Sequence, residues 1–317
     1  MRSRATSLIG VLCALSGSAC HSRRLPPPPS APSLAEPLRA MPADLDLVVR
    51  LDLRRMRTAL GAPAMTALGE RGLRGLSGAD RATDALLLGA LASTDLLWLG
   101  LRPARDLGAV DSVWILTGQF SDFDPHRAES VPRFELPVEL GGNLRRYDRV
   151  QPTARSAPAR IYTRGDDLVL SVSEAEIDAV ERSLEQQRGA PPLEPRAVGV
   201  LSAVARPRFL PRSLFASSEL LRRVVEHARR LELSADLTGA GADATLSLEF
   251  EEPALAEHVA GALKEMQDAL QQGTGRLAKF TTRLKITSAG RYASLALAMD
   301  LAELSELVNC REASCAW

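Results

Sequence analysis

The sequence predicts an α+β fold in which antiparallel sheets carry helices packed on one face. Stretches with an apolar residue at every second position, typical of half-buried strands, alternate with stretches whose apolar residues recur at helical spacing. Most of these strands are neighbours joined by short turns, as antiparallel pairing allows. The 317-residue chain is long enough for one large domain or two modest ones.

Residues 44–190 are predicted to form a first α+β half. Its first strand, over 45–53, is followed by a helical region to about residue 92 and by strands over 96–101 and 112–120. The segment 121–142, rich in proline and aspartate, is interpreted as an irregular connector. Residues 160–173 are predicted as a hairpin that turns at 164–167. Ser173 and Glu176 are expected to form a capping box for a helix lined by Ile177, Val180 and Leu184.

Residues 191–309 are predicted to repeat this order as a second α+β half. Strands are expected over 198–205, 231–237 and 246–250, and helices from residue 218, over 253–272 and over 301–308. The helix over 253–272 is expected to bury Val259, Leu263 and Met266 of an apolar face that also includes Leu255 and Leu270.

The last hairpins of the two halves match at one constant offset. The matched residues are Ile161, Gly165, Leu170 and Val172 in the first hairpin, and Ile286, Gly290, Leu295 and Leu297 in the second. The match predicts a tandem duplication of a strand–helix–strand–strand–hairpin–helix unit. The alternative is one larger sheet built from unrelated strands.

The N-terminus has the layout of an export signal. Arg2 and Arg4 precede a short apolar run over 8–15, and small residues including Gly17 and Ala19 lead to Cys20. Residues 1–19 are therefore predicted to be a signal peptide, since the apolar run is too short to span a bilayer.

The small residues before Cys20 resemble the lipobox of bacterial lipoproteins, although that family usually has leucine where Gly17 stands. The resemblance implies a cell-envelope lipoprotein, of the kind found in GC-rich Gram-negative bacteria, with a lipid on the Cys20 sulfur. Cleavage of the same bond by ordinary signal peptidase, leaving an unmodified Cys20, is the alternative.

Residues 20–43 are predicted to combine the lipidation site with a proline-rich tether. Prolines 26–29 are consecutive, and Pro32 and Pro37 follow. Such a segment favours polyproline II and holds a folded body away from a membrane surface. A proline-rich ligand segment would have a similar composition.

Residues 310–317 form a predicted C-terminal tail with a cysteine pair. Cys310 and Cys315 are expected to form a disulfide in an oxidising compartment, with free thiols as the alternative. The chain has 39 basic and 39 acidic residues, so no basic field exists to attract nucleic acid, and no nucleic-acid partner is predicted.

The search for chemistry predicts no catalytic residue, no metal site and no cofactor. The mature sequence contains no phosphate-binding glycine loop, no His-Glu-x-x-His and no nucleophile elbow. His227 and His258 are interpreted as helix-surface residues. The most polar connector contains Asp122, Asp124, His126 and Glu129, and is interpreted as a solvated loop rather than a calcium site.

The first strand carries a second charged group, Asp44, Asp46 and Asp52 with Arg50. We interpret it as a solvated charged face rather than a carboxylate pair for acid–base work. Gly165 and the residues beside it are interpreted as a tight turn.

These features predict a membrane-tethered, non-catalytic periplasmic or surface lipoprotein that binds a protein or an envelope component. Its membrane contact would be the lipid on Cys20, in the inner or the outer membrane. An envelope-polymer hydrolase and a carrier of a lipid-like ligand are the alternatives. A large, dry, apolar pocket would favour the carrier, and a filled core would favour the binding module.

Overall fold

The computed structural model describes residues 38–61, 65, 81–103, 110–126, 133–141, 143–150, 157–185, 193–207, 226–239, 241–271, 281–300 and 303. These residues form one antiparallel sheet of twelve strands with four helices. The α+β class predicted from the sequence is confirmed.

The strands are β1 Leu47–Asp52, β2 Thr94–Pro103, β3 Val110–Gly118, β4 Val138–Gly141, β5 Leu144–Asp148, β6 Pro158–Arg164, β7 Leu168–Ser173, β8 Leu201–Ala205, β9 Ala228–Thr238, β10 Gly241–Phe250, β11 Lys285–Ala289 and β12 Tyr292–Asp300. The helices are α1 Leu53–Leu60, α2 Arg81–Ala92, α3 Ile177–Glu185 and α4 Pro253–Gln271, and a 3₁₀ turn, Glu174–Glu176, precedes α3. The strand order across the sheet is β11-β12-β10-β9-β8-β1-β2-β3-β7-β6-β5-β4.

The two halves have the same strand order. From the centre outward, the first half runs β1-β2-β3-β7-β6 and the second runs β8-β9-β10-β12-β11. β1 pairs with β8, so the halves share one continuous sheet. The matched hairpins turn at Gly165 and Gly290, whose φ angles are 51° and 54°, a region that glycine enters without steric cost. A repeated order is what a tandem duplication of the unit requires.

The halves differ in the connector before the last hairpin. The first half has β4 and β5 there, and both extend the sheet beyond β6. The second half has α4 at the same place in the order of elements. The end of the segment expected to be irregular over 121–142 is therefore the strand β4.

The sheet has two faces, named here by the side chains of β1. Face A is the side of Leu47, Val49 and Leu51, and face B is the side of Val48 and Arg50, because successive side chains of a strand point to opposite sides. On face A, α1 and α2 pack against the first half and α4 against the second.

Face B of the first half is covered by α3 and by residues 38–45. Val180 of α3 is buried there with Trp98 and Tyr162. Helices therefore lie on both faces of the first half, whereas the sequence pattern suggested one face. In a strand buried on both faces the alternation of polar and apolar residues is lost, and β7 is buried at all six positions.

The folded body begins earlier than the expected end of the tether at residue 43. Leu38 and Met41 are buried in the core on face B. Gly100 makes room for Met41 and for Leu45, because a Cβ at this position would lie 2.5 Å from Met41 Sδ and 2.3 Å from Leu45 Cδ1. Residues 38–43 thus belong to the body.

The capping box expected at Ser173 and Glu176 is wrong. The Ser173 hydroxyl makes no cap and accepts the N–H of Ser112 at 2.9 Å. Glu176 is instead buried against Arg102, with 2.6 Å between Arg102 Nε and Glu176 Oε1. A buried carboxylate is stabilised more by an arginine than by a single amide.

A reciprocal capping box does occur at the end of β12. Glu303 N–H donates to Asp300 Oδ1 at 2.9 Å, and Asp300 N–H donates to Glu303 Oε2 at 3.0 Å. This geometry marks a helix start where the sequence predicted a helix over 301–308. The remaining residues of that segment lie outside the described part of the chain, as does most of the helix expected from residue 218. The strand β9, expected from residue 231, begins earlier, at Ala228.

The long helix α4 turns a different face to the sheet than expected. Its buried residues are Ala256, Val259, Ala260 and Leu263, so Val259 and Leu263 were placed correctly. Met266 is exposed by 37% and Leu270 by 39%, so the expectation that Met266 packs on the sheet is wrong. The small side chains of Ala256 and Ala260 permit the helix to approach the sheet closely. Beyond Leu263 the residue that faces the sheet is Gln267, whose side-chain amide donates to the Leu284 carbonyl at 2.8 Å.

Candidate docking surface

The two edges of the sheet carry different exposed side chains. In the described part of the chain β11 ends the sheet on one side and β4 on the other. The β11 edge exposes Lys285 and Thr287, and a lysine on an edge strand discourages another chain from pairing. The β4 edge exposes three apolar residues, Leu136, Val138 and Leu140, by 70%, 44% and 45%.

These three residues, here called the β4 stripe, lie within five positions of one another along the edge segment. Large apolar side chains scattered singly on a surface are ordinary, but a group of three exposed at a sheet edge marks an interaction site or an aggregation hazard. The stripe is consequently the strongest candidate site that the described surface offers.

The segment that carries the stripe is anchored at its start. Phe134 is only 1% exposed, and the Arg149 guanidinium lies over its ring, 5.6 Å from the centroid. Glu135 N–H donates to the Asp148 carbonyl at 2.8 Å. These contacts hold the segment against β5 before the stripe begins.

The stripe has a defined register on β5. Val138 faces Arg146 and Glu139 faces Arg145, and Arg145 Nε lies 2.7 Å from Glu139 Oε1. The register shifts between Glu139 and Gly141, as at a β-bulge, which bends an edge strand. Val138 and Leu140 thus belong to the edge strand, and Leu136 precedes it.

A network of charged residues joins β5, β6 and α3 on the face of Arg146. Arg146 Nε lies 2.9 Å from Asp148 Oδ2. Arg160 pairs with both Asp148 and Glu181, and the Tyr162 hydroxyl donates to Glu181 Oε1 at 3.4 Å. Charge-assisted bonds of this kind fix side-chain geometry, so α3 is tied to the strands next to β4.

Two members of this network, Tyr162 and Arg160, have raised pKa values. Burial raises the pKa of Tyr162, and the hydrogen bond from Arg160 only partly opposes this effect. Burial lowers the pKa of Arg160, but hydrogen bonds with Tyr162 and Asp148 outweigh it, and the net pKa is raised. Tyr162 stays neutral and Arg160 stays charged, so these two groups position the strands and do not exchange protons.

The connector after β3 supports the same segment. The His126 ring donates from Nδ1 to the Phe134 carbonyl at 2.8 Å, and Asp124 Oδ1 accepts the His126 N–H at 2.9 Å. Glu129 lies outside the described residues. Among those that are described, no three His, Cys, Asp or Glu side chains meet as a metal site would require. His126 therefore braces the base of the stripe.

The expectation of a solvated charged face on the first strand is wrong. Arg50 is 2% exposed and Asp52 is 1% exposed. β1 lies between β2 and β8 at the centre of the sheet, so its polar side chains are buried at the junction of the halves. Arg50 Nη2 lies 3.8 Å from Asp52 Oδ2, and Arg50 Nη1 donates to the Gly199 carbonyl at 3.3 Å.

Asp46 of the same group is also buried, whereas Asp44 is exposed and pairs with Arg102 at 2.8 Å. Asp52 Oδ1 accepts the Arg55 N–H at 2.9 Å and so caps α1. Arg55 in turn reaches Asp236 of the second half, 3.0 Å away. Asp52 and Arg55 thus take part in joining the two halves.

The remaining predicted residues are placed as follows. His227 and His258 are exposed, as expected of surface histidines. Cys20, Cys310 and Cys315 lie outside the described residues, so the lipidation and the disulfide stay predictions. Across the part of the chain that is described, none of the helices is both long and apolar enough to cross a membrane.

Sequence reasoning missed the β4 stripe because it lies in the segment interpreted as irregular. The alternation of Leu136, Val138 and Leu140 in the sequence was a signal for a strand. Pro137 interrupts this run, and a proline argues against a strand. The network on Arg160 was not predictable, since it depends on how β5, β6 and α3 come together.

No family model matches the chain, and no curated protein matches it. Among solved structures, TP0453 is similar. Its crystal form III aligns with a TM-score of 0.49 and 9% identity over 87% of this chain and 98% of that chain. Crystal form I aligns with a TM-score of 0.46 and 11% identity over 86% and 96% of the two chains. Likeness at this level says nothing of function.

Proposed function

We propose that this chain is a membrane-tethered, non-catalytic lipoprotein of the cell envelope that binds a protein through the β4 stripe. The observation that carries the proposal is the exposure of Leu136, Val138 and Leu140 by 70%, 44% and 45% at one end of the sheet. The opposite end exposes Lys285 and Thr287 instead. The tether part of the proposal is supported by the sequence before and after Cys20.

The stripe is large enough to contribute to binding. Full burial of a leucine or valine side chain contributes about 1.5–3 kcal/mol. Weighted by the exposed fractions of the three residues, covering the stripe would contribute about 2–5 kcal/mol on this side of an interface. Association also carries an entropy cost, so the partner must supply a similar apolar surface.

The position of the stripe at a sheet edge favours an extended partner segment. An exposed edge is a surface along which another extended chain can lie, whereas a helix binds in a groove through residues at i, i+3 and i+4. Pro137 has no N–H, so the edge offers an incomplete backbone ladder. Side-chain contacts would therefore supply most of the affinity.

The described interior supports a binding module more than a lipid carrier. Trp98 and Phe250 are 1% and 0% exposed in cores on opposite faces of the sheet. A groove on face B of the second half, lined by residues including Ser202, Glu232 and Thr245, has a volume of about 60 Å³. Pockets for small ligands are typically about 300–1,000 Å³ and mostly apolar.

Photo-crosslinking in intact cells tests the binding surface. A photoreactive amino acid at position 138 is expected to capture a discrete protein, because Val138 is the middle residue of the stripe. The matched control is the same group at Thr287, which is exposed on the opposite edge strand and is expected to capture none. Equal labelling from both positions, or no product from position 138, would refute the surface.

The tether is tested separately by Cys20→Ala. This change is expected to move the protein from the membrane fraction to the soluble fraction, because it removes the sulfur that would carry the lipid. A native protein that is already soluble and has an unmodified N-terminus would contradict the lipoprotein assignment.

A further inference from the structure

We propose that residues 38–45, here called the strap, form a releasable segment that leaves face B while the sheet stays folded, and that its release lengthens the tether. The strap directly follows the segment expected to link Cys20 to the body, so a released strap would continue that segment. This role rests on the tether part of the proposed function. The release itself depends only on contacts within the described body.

The strap lies outside the paired strands. β1 begins at Leu47, and the N–H of Asp46, directly before it, donates to the Leu101 carbonyl at 3.1 Å. From there on the chain pairs with β2 on one side and with β8 on the other. A terminal segment that is not part of a sheet opens at a lower free energy than a central strand. The strap and β1 are therefore expected to open separately.

Apolar contacts hold the strap in place. Leu38, Met41 and Leu45 are exposed by 8%, 2% and 0%, and they lie in the same buried cluster as Val48 and Trp98. Burial of these side chains stabilises the closed strap, whereas the conformational entropy of ordering its eight residues opposes closure by a similar amount. The closed strap is therefore favoured by a small margin.

Polar contacts join the strap to both halves of the sheet. Arg102 of β2 lies 2.8 Å from Asp44 Oδ1. Arg206, which follows β8, donates to the Asp44 carbonyl at 2.8 Å and to the Ala43 carbonyl at 3.1 Å. The Asp44 side chain is 68% exposed, and an ion pair at such a position contributes little to stability. These contacts fix the position of the strap and add little to the free energy of its release.

Release would change two properties of the molecule. The eight residues of the strap would add up to about 26–29 Å to the reach of the tether, since an extended residue spans about 3.3–3.6 Å. Release would also uncover Trp98 and Val48, which are 1% and 0% exposed while the strap is in place. Exposure of apolar surface is unfavourable, so the released state is expected to be a minor one unless the tether is under tension.

Thiol labelling tests the release in the full Cys20→Ala chain, with Cys310 and Cys315 replaced by serine. Met41→Cys and Val113→Cys form a matched pair, because both side chains are buried in the same cluster, at 2% and 0% exposure. The thiol of Met41→Cys is expected to react with a maleimide at least about a hundredfold faster, since opening of the strap alone exposes it. Its rate should change little with urea. The rate of Val113→Cys should rise steeply, since global unfolding exposes much more surface.

Gly100→Ala provides an independent variant. The added Cβ would lie 2.3 Å from Leu45 Cδ1, so it should displace the strap and speed the labelling of Met41→Cys by at least about tenfold. Labelling of Val113→Cys should change by less than about threefold, because the sheet stays folded. Should Met41→Cys prevent folding, hydrogen exchange of the chain with its native Met41 makes the same comparison, between the amides of the strap and those of β3.

Equal labelling rates with equal dependence on urea would overturn the inference, because the strap would then open only together with the whole body. Fractionation of the native protein separates this result from failure of the proposed function. If the strap opens separately but Cys20 carries no lipid, the strap has no tether to lengthen, and both the tether and this role of the strap are wrong. If Cys20 is lipidated and the strap opens only with the body, the proposed function stands and the release is wrong.

Discussion

Asp52→Asn is expected to destabilise the protein by about 3 kcal/mol, because it leaves Arg50 buried without a carboxylate. The two side chains are 1% and 2% exposed. Burial lowers the pKa of Arg50, and the Asp52 charge opposes this effect. Asparagine keeps the side-chain oxygen that accepts the Arg55 N–H and caps α1, so the substitution removes charge and retains the cap.

The magnitude follows from the geometry of the pair. Removing one partner of a buried ion pair typically costs about 3–5 kcal/mol. The low end applies here because Arg50 Nη2 and Asp52 Oδ2 are 3.8 Å apart. In addition, Arg50 Nε and Asp52 Oδ2 have no hydrogen-bond partner, so the native pair is already imperfectly satisfied.

Replacing both residues is expected to restore most of the lost stability. Arg50→Met fills a similar volume, and together with Asp52→Asn it removes both buried charges. The Gly199 carbonyl would lose the donor now at 3.3 Å, at a cost of about 1 kcal/mol. Each single variant should lose about 3 kcal/mol of stability and the double variant about 1 kcal/mol. The double variant would therefore be about 5 kcal/mol more stable than the sum of the two single effects predicts.

Urea unfolding of the Cys20→Ala chain, followed by circular dichroism, measures these differences. The midpoint should shift while the dependence on denaturant stays constant, as expected of a change in stability alone. Asp243→Asn, on an exposed position of β10, is the control and should change stability by less than about 0.5 kcal/mol. A loss below about 1 kcal/mol for Asp52→Asn, or additive single and double variants, would refute the reasoning.

Three further outcomes are expected from the same unfolding assay. The hydrogen bond from Arg102 lowers the pKa of Asp44. The stability that this bond contributes is therefore fully present above the ordinary aspartate pKa, and it is lost as the pH falls through the lower pKa of the folded protein. Asp44→Asn should abolish this dependence of stability on pH, which amounts to less than about 1 kcal/mol because Asp44 is exposed. Gly290→Ala should reduce the free energy of unfolding by about 1 kcal/mol, because the φ angle of this residue is 54°. Gly199→Ala should reduce it by about 3 kcal/mol or more, because the added Cβ would also lie 2.3 Å from the Ala235 carbonyl oxygen. Leu263→Ala should cost about 2–5 kcal/mol, as a 4% exposed core residue.

The sequence was informative about strands and hairpins because their signals are local. The alternation in 45–53 and the glycines at positions 165 and 290 identified β1 and both hairpin turns. Where one strand was buried on both faces, as β7 is, local pattern could not show that a second layer covered it. The position of α3 on face B therefore came only from the structure.

The charged residues of β1 show the same limit more sharply. Asp52 and Arg50 alternate with apolar residues in the sequence, and this pattern predicts a charged face exposed to solvent. Their burial depends on β8, which is about 150 residues away in the sequence and pairs with β1 directly. Local periodicity shows which residues share a side but not what covers that side.

The candidate site lies in the part of the first half that departs from the repeated order. The second half ends at its hairpin strand β11, whereas the first continues past the equivalent strand β6 with β5 and β4. The core does not require the β4 stripe, since Leu136, Val138 and Leu140 are exposed and join none of the buried clusters. The anchoring of this segment by Phe134 and by the His126 ring nevertheless fixes the stripe in place. The contact proposed above would give these exposed residues a role that the core does not supply.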